Sequence, residues 1–426
     1  GKTRIIVERV RHLLETKTEL RPEQILVLTY NVKAARELKE RLQEAIGPAN
    51  AARLTTTNFH SFCHRVLRDS AAEADMPPDP DVLDGVGQLL LLRDLRPDLD
   101  LVYHSTTWHL PEFVKFINRA KDELVSPDDF DKFVAEEQAT FEDRYGPYAD
   151  AVDRLISNGN LRPVREVRKA YARERTAERA DEDTDGKEPM KTADREARRT
   201  IGGTGRALYR SEFPEEQHEE IDELAETYVK DGAALEVMRL REIASVYRAY
   251  EAELAKRGAL DFGSQIAETT KLFKRRPNIL RRWQRQYRYI LVDEFQDANI
   301  AQIELIELLG RTPDRPDNVM VVGDDDQSIY RFRGASFAAF KEFDRRFSRP
   351  PAHAPDSPPP PPPTRLRIEQ NFRSVAKSPG TYSNVQLIAN GPGRFVMRSR
   401  YGTTYVVSQA FKGYRASSRG VATEAY

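Results

Sequence analysis

The chain has 426 residues, a length that suits two or three domains. Its 67 Lys and Arg against 68 Asp and Glu leave a formal net charge of -1, so any surface for a polyanion has to be a local one. One cysteine, Cys63, excludes an internal disulfide and fits a reducing compartment, and no apolar run reaches the roughly 20 residues that cross a bilayer. These features predict a cytoplasmic protein that does not engage membranes.

Gly1-Lys2-Thr3 matches the end of the phosphate-binding pattern G-x-x-x-x-G-K-[ST]. Ile6, Val10, Leu13 and Leu14 follow at helical spacing, and a helix starting at G-K-T can hold phosphate on its N-terminal amides. The strand and glycine-rich turn that the pattern also needs would precede Gly1. The chain therefore reads as a piece of a longer protein, its sheet lacking an interior strand and leaving backbone groups unpaired. Residues 25–29 (ILVLT) read as a buried strand, with a helix over 34–42. A strand-like start and then a helical pattern occupy 55–67.

From 71 to 282 long helical stretches dominate, anchored by apolar residues at 89–92, 113–117 and 237–254, which predicts a mostly helical insertion. Within it, 162–200 is dense in both charge signs and reads as a solvated helix or flexible linker. The glycine-rich 202–205 has no strand before it and no Lys after it, so it reads as a turn. Strands return at 289–292, ending in Asp293-Glu294, and at 319–322, ending in Gly323 and a run of three aspartates before Gln327. That aspartate run reads as a solvated turn. Prolines 358–363 predict a stiff spacer within a linker over 349–363. A strand at 366–368 leads into Asn371-Phe372-Arg373-Ser374. After Val375 periodicity fails and the tail is expected to be irregular.

Lys2 suits a β/γ-phosphate and the Thr3 hydroxyl suits Mg²⁺. Asp293 at a strand end could hold Mg²⁺ through its water shell, and Glu294 could act as general base; the plainer alternative is an acidic strand end before a helix N-terminus. Gln327 could bond both a water and the γ-phosphate. Tyr330, Arg331, Phe332 and Arg333 alternate aromatic and basic residues, as in single-strand binding or in a core cluster at a helix start. Phe59, His60, Phe62, His64 and Arg65 repeat that mixture. His60, Cys63 and His64 lack a fourth ligand for zinc. Arg373 could serve as an arginine finger, and Phe372 could stack on a base.

In this order the blocks resemble the superfamily 1 DNA helicases of the UvrD/Rep/PcrA type. The matching segments are Gly1-Lys2-Thr3, LTYNVKAARELKERL at 28–42, TNFHSFCHRVLR at 57–68, ALDFGSQI at 259–266, LVDEFQD at 291–297, VVGDDDQSIYRFRGA at 321–335 and QNFRS at 370–374. The pair VDEFQD and GDDDQSIYRFRGA is the most specific. Departures are Asn58 before Phe59, Val32 where a polar residue is common, Phe332 where many members have Trp, Phe372 in the place usually held by Tyr, and the proline run.

The resemblance implies an α/β fold: a RecA-like P-loop NTPase domain over 1–70 and 283–348, built on a parallel sheet and interrupted by a helical domain over 71–282. A second RecA-like domain would begin in 364–426. It implies MgATP held by Gly1, Lys2, Thr3, Asp293, Glu294, Gln327, Phe372 and Arg373. It also implies single-stranded DNA and ss/ds DNA junctions held by Phe59, His60, Phe62, Tyr330, Phe332 and Arg333. The expected activity is ATP-driven 3′-to-5′ movement on DNA in repair or replication, at the nucleoid. The alternatives are the helicase part of an AddA/RecB-like helicase-nuclease, or a remnant that only binds single strands.

Overall fold

The computed structural model describes residues 2–99, 101, 104, 110–145, 233–312, 318–324, 339–350 and 363–368, together with five strand segments between 385 and 424. They divide into two units, one of Gly1–Asp81, Lys121–Leu124 and Leu260–Tyr426, the other of Val82–Ala120 and Val125–Ala259.

The first unit opens with α1 (Lys2–Thr16), β1 (Ile25–Thr29), α2 (Val32–Ile46), α3 (Pro48–Arg53), β2 (Thr55–Asn58) and α4 (Phe59–Arg68). The second holds β3 (Val82–Leu83), α5 (Gly85–Leu95), most of α6 (Leu110–Asp122), α7 (Pro127–Tyr145) and α8 (Ala233–Arg257). The first resumes with β4 (Leu260–Asp261), α9 (Phe262–Arg275), α10 (Pro277–Gln286), β5 (Tyr289–Val292), α11 (Ile300–Gly310), β6 (Val319–Asp324), α12 (Ala339–Phe347) and β7 (Thr364–Ile368). The tail adds β8 (Val385–Asn390), β9 (Arg394–Arg398), β10 (Thr404–Ser408), β11 (Tyr414–Ala416) and β12 (Ala422–Glu424).

Six strands form one sheet in the order β2-β1-β5-β6-β8-β7, parallel from β2 through β6. Successive side chains of a strand point to opposite faces, and here the alternation builds two cores. Ile25, Val27, Leu291, Met320 and Val322 meet Ile6, Val10 and Leu13 of α1 and Leu38 and Leu42 of α2. Leu26, Leu28, Ile290, Val292, Val319 and Val321 meet α4 and α9 to α12. A strand covered on both faces needs the unbroken apolar run seen at 25–29. Asparagines start the helices that follow: Asn31 caps α2, Asn58 caps α4, and Asn299 caps α11 in a capping box with Gln302. The cap at Asn31 begins α2 earlier than the expected 34, and Gly47 at φ 82° ends it.

The sheet and the tail differ from expectation. β8 runs antiparallel to β6 along its whole length, from Val319↔Asn390 to Asp324↔Val385, and β7 runs antiparallel to β8. The sheet is therefore mixed, and a tail strand lines the edge of β6 where unpaired backbone was expected. Strands of three to six residues need no helical period, which is why the tail looked irregular. The described strands β7 to β12, in the stretch expected to open a second domain, fall within the first unit.

In the second unit, Leu91 and Leu92 of α5, Phe113 and Ile117 of α6, Phe130 and Val134 of α7, and Ile243, Val246, Tyr247, Tyr250 and Leu254 of α8 share one core. Buried His104 faces Glu242, with Nδ1 3.0 Å from Oε2. This unit is smaller than the insertion expected over 71–282, because the apolar faces of α9 and α10 pack on the sheet. No helix among the described residues is long and apolar enough to cross a membrane.

Where the chain re-enters the first unit at Lys121, the ammonium donates to Asp261 Oδ2 at 2.6 Å and to Ser264 Oγ at 2.7 Å, with Lys121 3% and Asp261 0% exposed. Asp261 Oδ1 caps α9 through the Ser264 N–H. A Cβ on Gly263 would come within 2.9 Å of Lys121 Cβ, so only glycine lets the lysine lie so close. Lys121→Met, which removes the ammonium facing a buried carboxylate, should cost about 3–5 kcal/mol in urea unfolding, and adding Asp261→Asn should recover part of the loss.

Candidate functional site

Parallel strands bring their C-terminal ends to one edge of the sheet, where open α/β sheets bind ligands. The Asp293 N–H donates to Leu28 O at 2.9 Å and so extends the β1–β5 ladder by one residue. Asp293 is thereby held just beyond the sheet, 4% exposed. The chain then turns through Glu294, whose φ of 52° and ψ of 42° lie in the left-handed region, at a cost of about 1–2 kcal/mol for a residue with a Cβ. A short 3₁₀ turn, Phe295–Asp297, follows. Phe295 anchors it, edge-on to Phe340 and Phe343 of α12 at 5.2 and 5.6 Å between ring centres.

The turn directs the Glu294 carboxylate at the start of α1, where the buried Lys2 ammonium donates to its Oε2. The Thr3 hydroxyl lies near the Asp293 carboxylate and favours its charged form. Burial, reinforced by the charge of Glu294, raises the Asp293 carboxyl to about 6, while the Glu294 N–H, Lys2 and Thr3 pull it down. Asp297 is raised to about 6 by the same two causes, and its buried Oδ1 has no hydrogen-bond partner among the described residues. Among the described residues, three carboxylates thus lie near one ammonium, an excess of negative charge that favours a cation. Among the described residues no three His, Cys, Asp or Glu side chains converge as a metal cage. Asp293 and Thr3 instead offer the hard oxygens that suit Mg²⁺, an ion that keeps waters and takes further ligands from phosphate.

Gln296, part of VDEFQD but given no role from the sequence, is 4% exposed and uses both ends of its amide. Nε2 donates to Glu294 Oε2 at 2.6 Å, and Oε1 accepts from the Asp324 N–H at 2.9 Å. Gly323 makes the approach possible, since a Cβ there would stand 2.5 Å from Gln296 Oε1 and 2.9 Å from its backbone nitrogen. Asp324, expected in a solvated turn, is the last residue of β6 and 1% exposed. Gln296 and Asp297 lie within the VDEFQD segment, where the sequence alone assigns neither of them a role.

The aromatic residues of α4 correct the sequence reading. Phe59 and Phe62 are 2% and 1% exposed and belong to the core, so neither offers a face to a base. Arg65 bonds the Tyr287 hydroxyl and lies over Trp283 at 5.3 Å from the ring centre. His60 is half-buried, and burial holds it below the ordinary imidazole value. Its Nδ1 lies 3.1 Å from Phe262 O, and the rings meet edge-on at 5.5 Å. Among the described residues, Phe262 of the 259–266 segment is an exposed aromatic ring, 51% accessible. Gly1, Gln327, Tyr330, Phe332, Arg333, Phe372 and Arg373 lie outside the described residues.

A mononucleotide-type edge, with the G-K-T helix meeting a carboxylate-ended strand, defines a P-loop NTPase class of site. The family model of the UvrD/REP helicase N-terminal domain matches residues 1–161 and 164–348, and the chain belongs to that family. It is 26% identical over 377 residues to the ATP-dependent DNA helicase PcrA of Bacillus subtilis (strain 168), covering 88% of this chain and 35% of that protein. The PcrA of Staphylococcus aureus (strain Mu50 / ATCC 700699) is 26% identical over 375 residues, with the same coverage. That of Leuconostoc citreum is 25% identical over 376 residues, 88% of this chain and 34% of the relative. The chain thus spans about a third of the length of these curated relatives.

An acid whose pKa is raised on folding weakens the fold once it ionises, so the cost of Asp297 is full above pH 6 and vanishes below its unfolded value near 4. Asp297→Asn should therefore melt higher than wild type at pH 8 in metal-free buffer, with the gap closing as pH falls through 6 toward 4.

Proposed function

We propose that this chain carries the nucleotide-binding half of an ATP-dependent 3′-to-5′ DNA helicase or translocase. It moves on single-stranded DNA and engages ss/ds junctions during repair or replication, in the cytoplasm at the nucleoid. The observation that carries this reading is the meeting of Lys2 and Thr3, at the start of α1, with Glu294 and Asp293, at the end of β5. The PcrA proteins it resembles are named as ATP-dependent DNA helicases, which supports ATP as the nucleotide.

Thr3 and Asp293 would hold Mg²⁺, which when bound offsets charge on the phosphates. Lys2 leaves Glu294 for a phosphate oxygen. The released carboxylate accepts a proton as the water oxygen bonds to the γ-phosphorus and the bond to the bridging β,γ-oxygen breaks, yielding ADP and phosphate. Burial of Lys2 and Asp293 keeps bulk water from screening these charges. Gln327 and Arg373 complete the γ-phosphate shell and Phe372 stacks on adenine, roles that rest on the resemblance. On the DNA side, Tyr330, Phe332 and Arg333 keep the roles the resemblance implies. Phe262 beside His60 replaces Phe59 and Phe62 as the stacking ring.

In the full-length protein, phosphate release should rise on adding single-stranded DNA, and Lys2→Ala should lower turnover at least about 100-fold. Duplexes with a 3′ tail should unwind and those with a 5′ tail should not; no DNA stimulation, or the opposite polarity, would overturn the assignment. For the DNA side, Phe262→Ala should weaken binding of a labelled oligonucleotide by about 1–3 kcal/mol in an anisotropy titration. Unchanged affinity would remove Phe262 from the strand path.

A further inference from the structure

Lys2 and Gln296 both donate to the same oxygen, Oε2 of Glu294. The two donors differ in what else they can do. Lys2 is mobile in role, because a phosphate oxygen competes for its charge. Gln296 is neutral and fully engaged, with Nε2 on Glu294 at 2.6 Å and Oε1 on the Asp324 N–H at 2.9 Å. It is also confined, 4% exposed and set against the bare Cα of Gly323. Once a nucleotide draws Lys2 away, the amide of Gln296 is the bond that still orients the Glu294 carboxylate. Its other end grips the last residue of β6, whose continuation carries Gln327, Tyr330 and Phe332.

We propose that Gln296 is a positioning residue for ATP hydrolysis, holding the carboxylate of Glu294 while tying it to the end of β6. Nucleotide chemistry is thereby joined, through one side-chain amide, to the segment after β6 that the resemblance assigns to DNA. This rests on the ATPase reading of the site. A loosely held base loses rate rather than nucleotide affinity, since a misplacement of about 1 Å costs on the order of 100-fold in the chemical step.

The test compares Gln296→Met and Gln296→Glu with wild type in the full-length protein, measuring kcat and KM for ATP with and without single-stranded DNA, and thermal melting. The methionine removes both bonds without charge. The glutamate keeps the acceptor for the Asp324 N–H but loses the donor to Glu294. Both should turn over about 10- to 100-fold more slowly at a KM within twofold of wild type, with DNA stimulation reduced toward unity and melting within a few degrees. Gln296→Met at wild-type turnover would overturn the proposal, whatever the glutamate does. So would Gln296→Glu at wild-type turnover, including where the methionine variant unfolds, since a strand tie alone would then explain the residue. A wild type that hydrolyses ATP with DNA stimulation while both variants match it refutes only the role of Gln296. A wild type with no such activity removes the reading of the site as well.

Discussion

The contact between the ammonium of Lys2 and the carboxylate of Glu294 joins points 292 residues apart in the chain. A buried ammonium is costly without a partner, so the start of α1 and the end of β5 must arrive at the same place. The sheet meets that demand. β5 lies between β1 and β6, with α1 pressed on one face by Ile6, Val10 and Leu13 and the phenylalanines of α12 gripping Phe295 on the other. The chain leaves to build a second unit and returns through Leu260 before it supplies Glu294. The site therefore assembles only after a long loop closes, at an entropic cost that grows slowly with length.

Much of the central sheet could be read from local pattern. Runs such as ILVLT and YILV must be strands buried on both faces, because a one-sided strand would alternate. The order of G-K-T, helix, strand and D-E located the Lys2–Glu294 edge for a similar reason: motif residues sit where strands end, and strand ends are easy to find. Asn58, an oddity when compared with the family pattern, is the N-cap of α4. Helix-cap chemistry explains it without appeal to DNA.

What escaped the sequence is whatever depends on burial or on a close approach. Phe59, Phe62 and Arg65 have the composition of a strand-binding patch, and composition is the same for a core cluster around Trp283 and Tyr287. Only solvent exposure separates the two, and here Phe59 and Phe62 are buried. Gln296 matters because Gly323 has no side chain, a relation between residues on different strand ends. The extent of the helical insertion was overestimated because α9 and α10 have helical patterns whose apolar faces turn toward the sheet, and periodicity does not say which partner a face meets.

Cys63 sits on the buried face of α4, with its thiol pushed up to about 12 by burial. It is the chain's single sulfhydryl, and at neutral pH it presents neither thiolate nor access to a maleimide. A cysteine introduced at an exposed position such as Val32 would then be the one reactive handle, and a dye attached there could report conformational change without prior removal of the native residue.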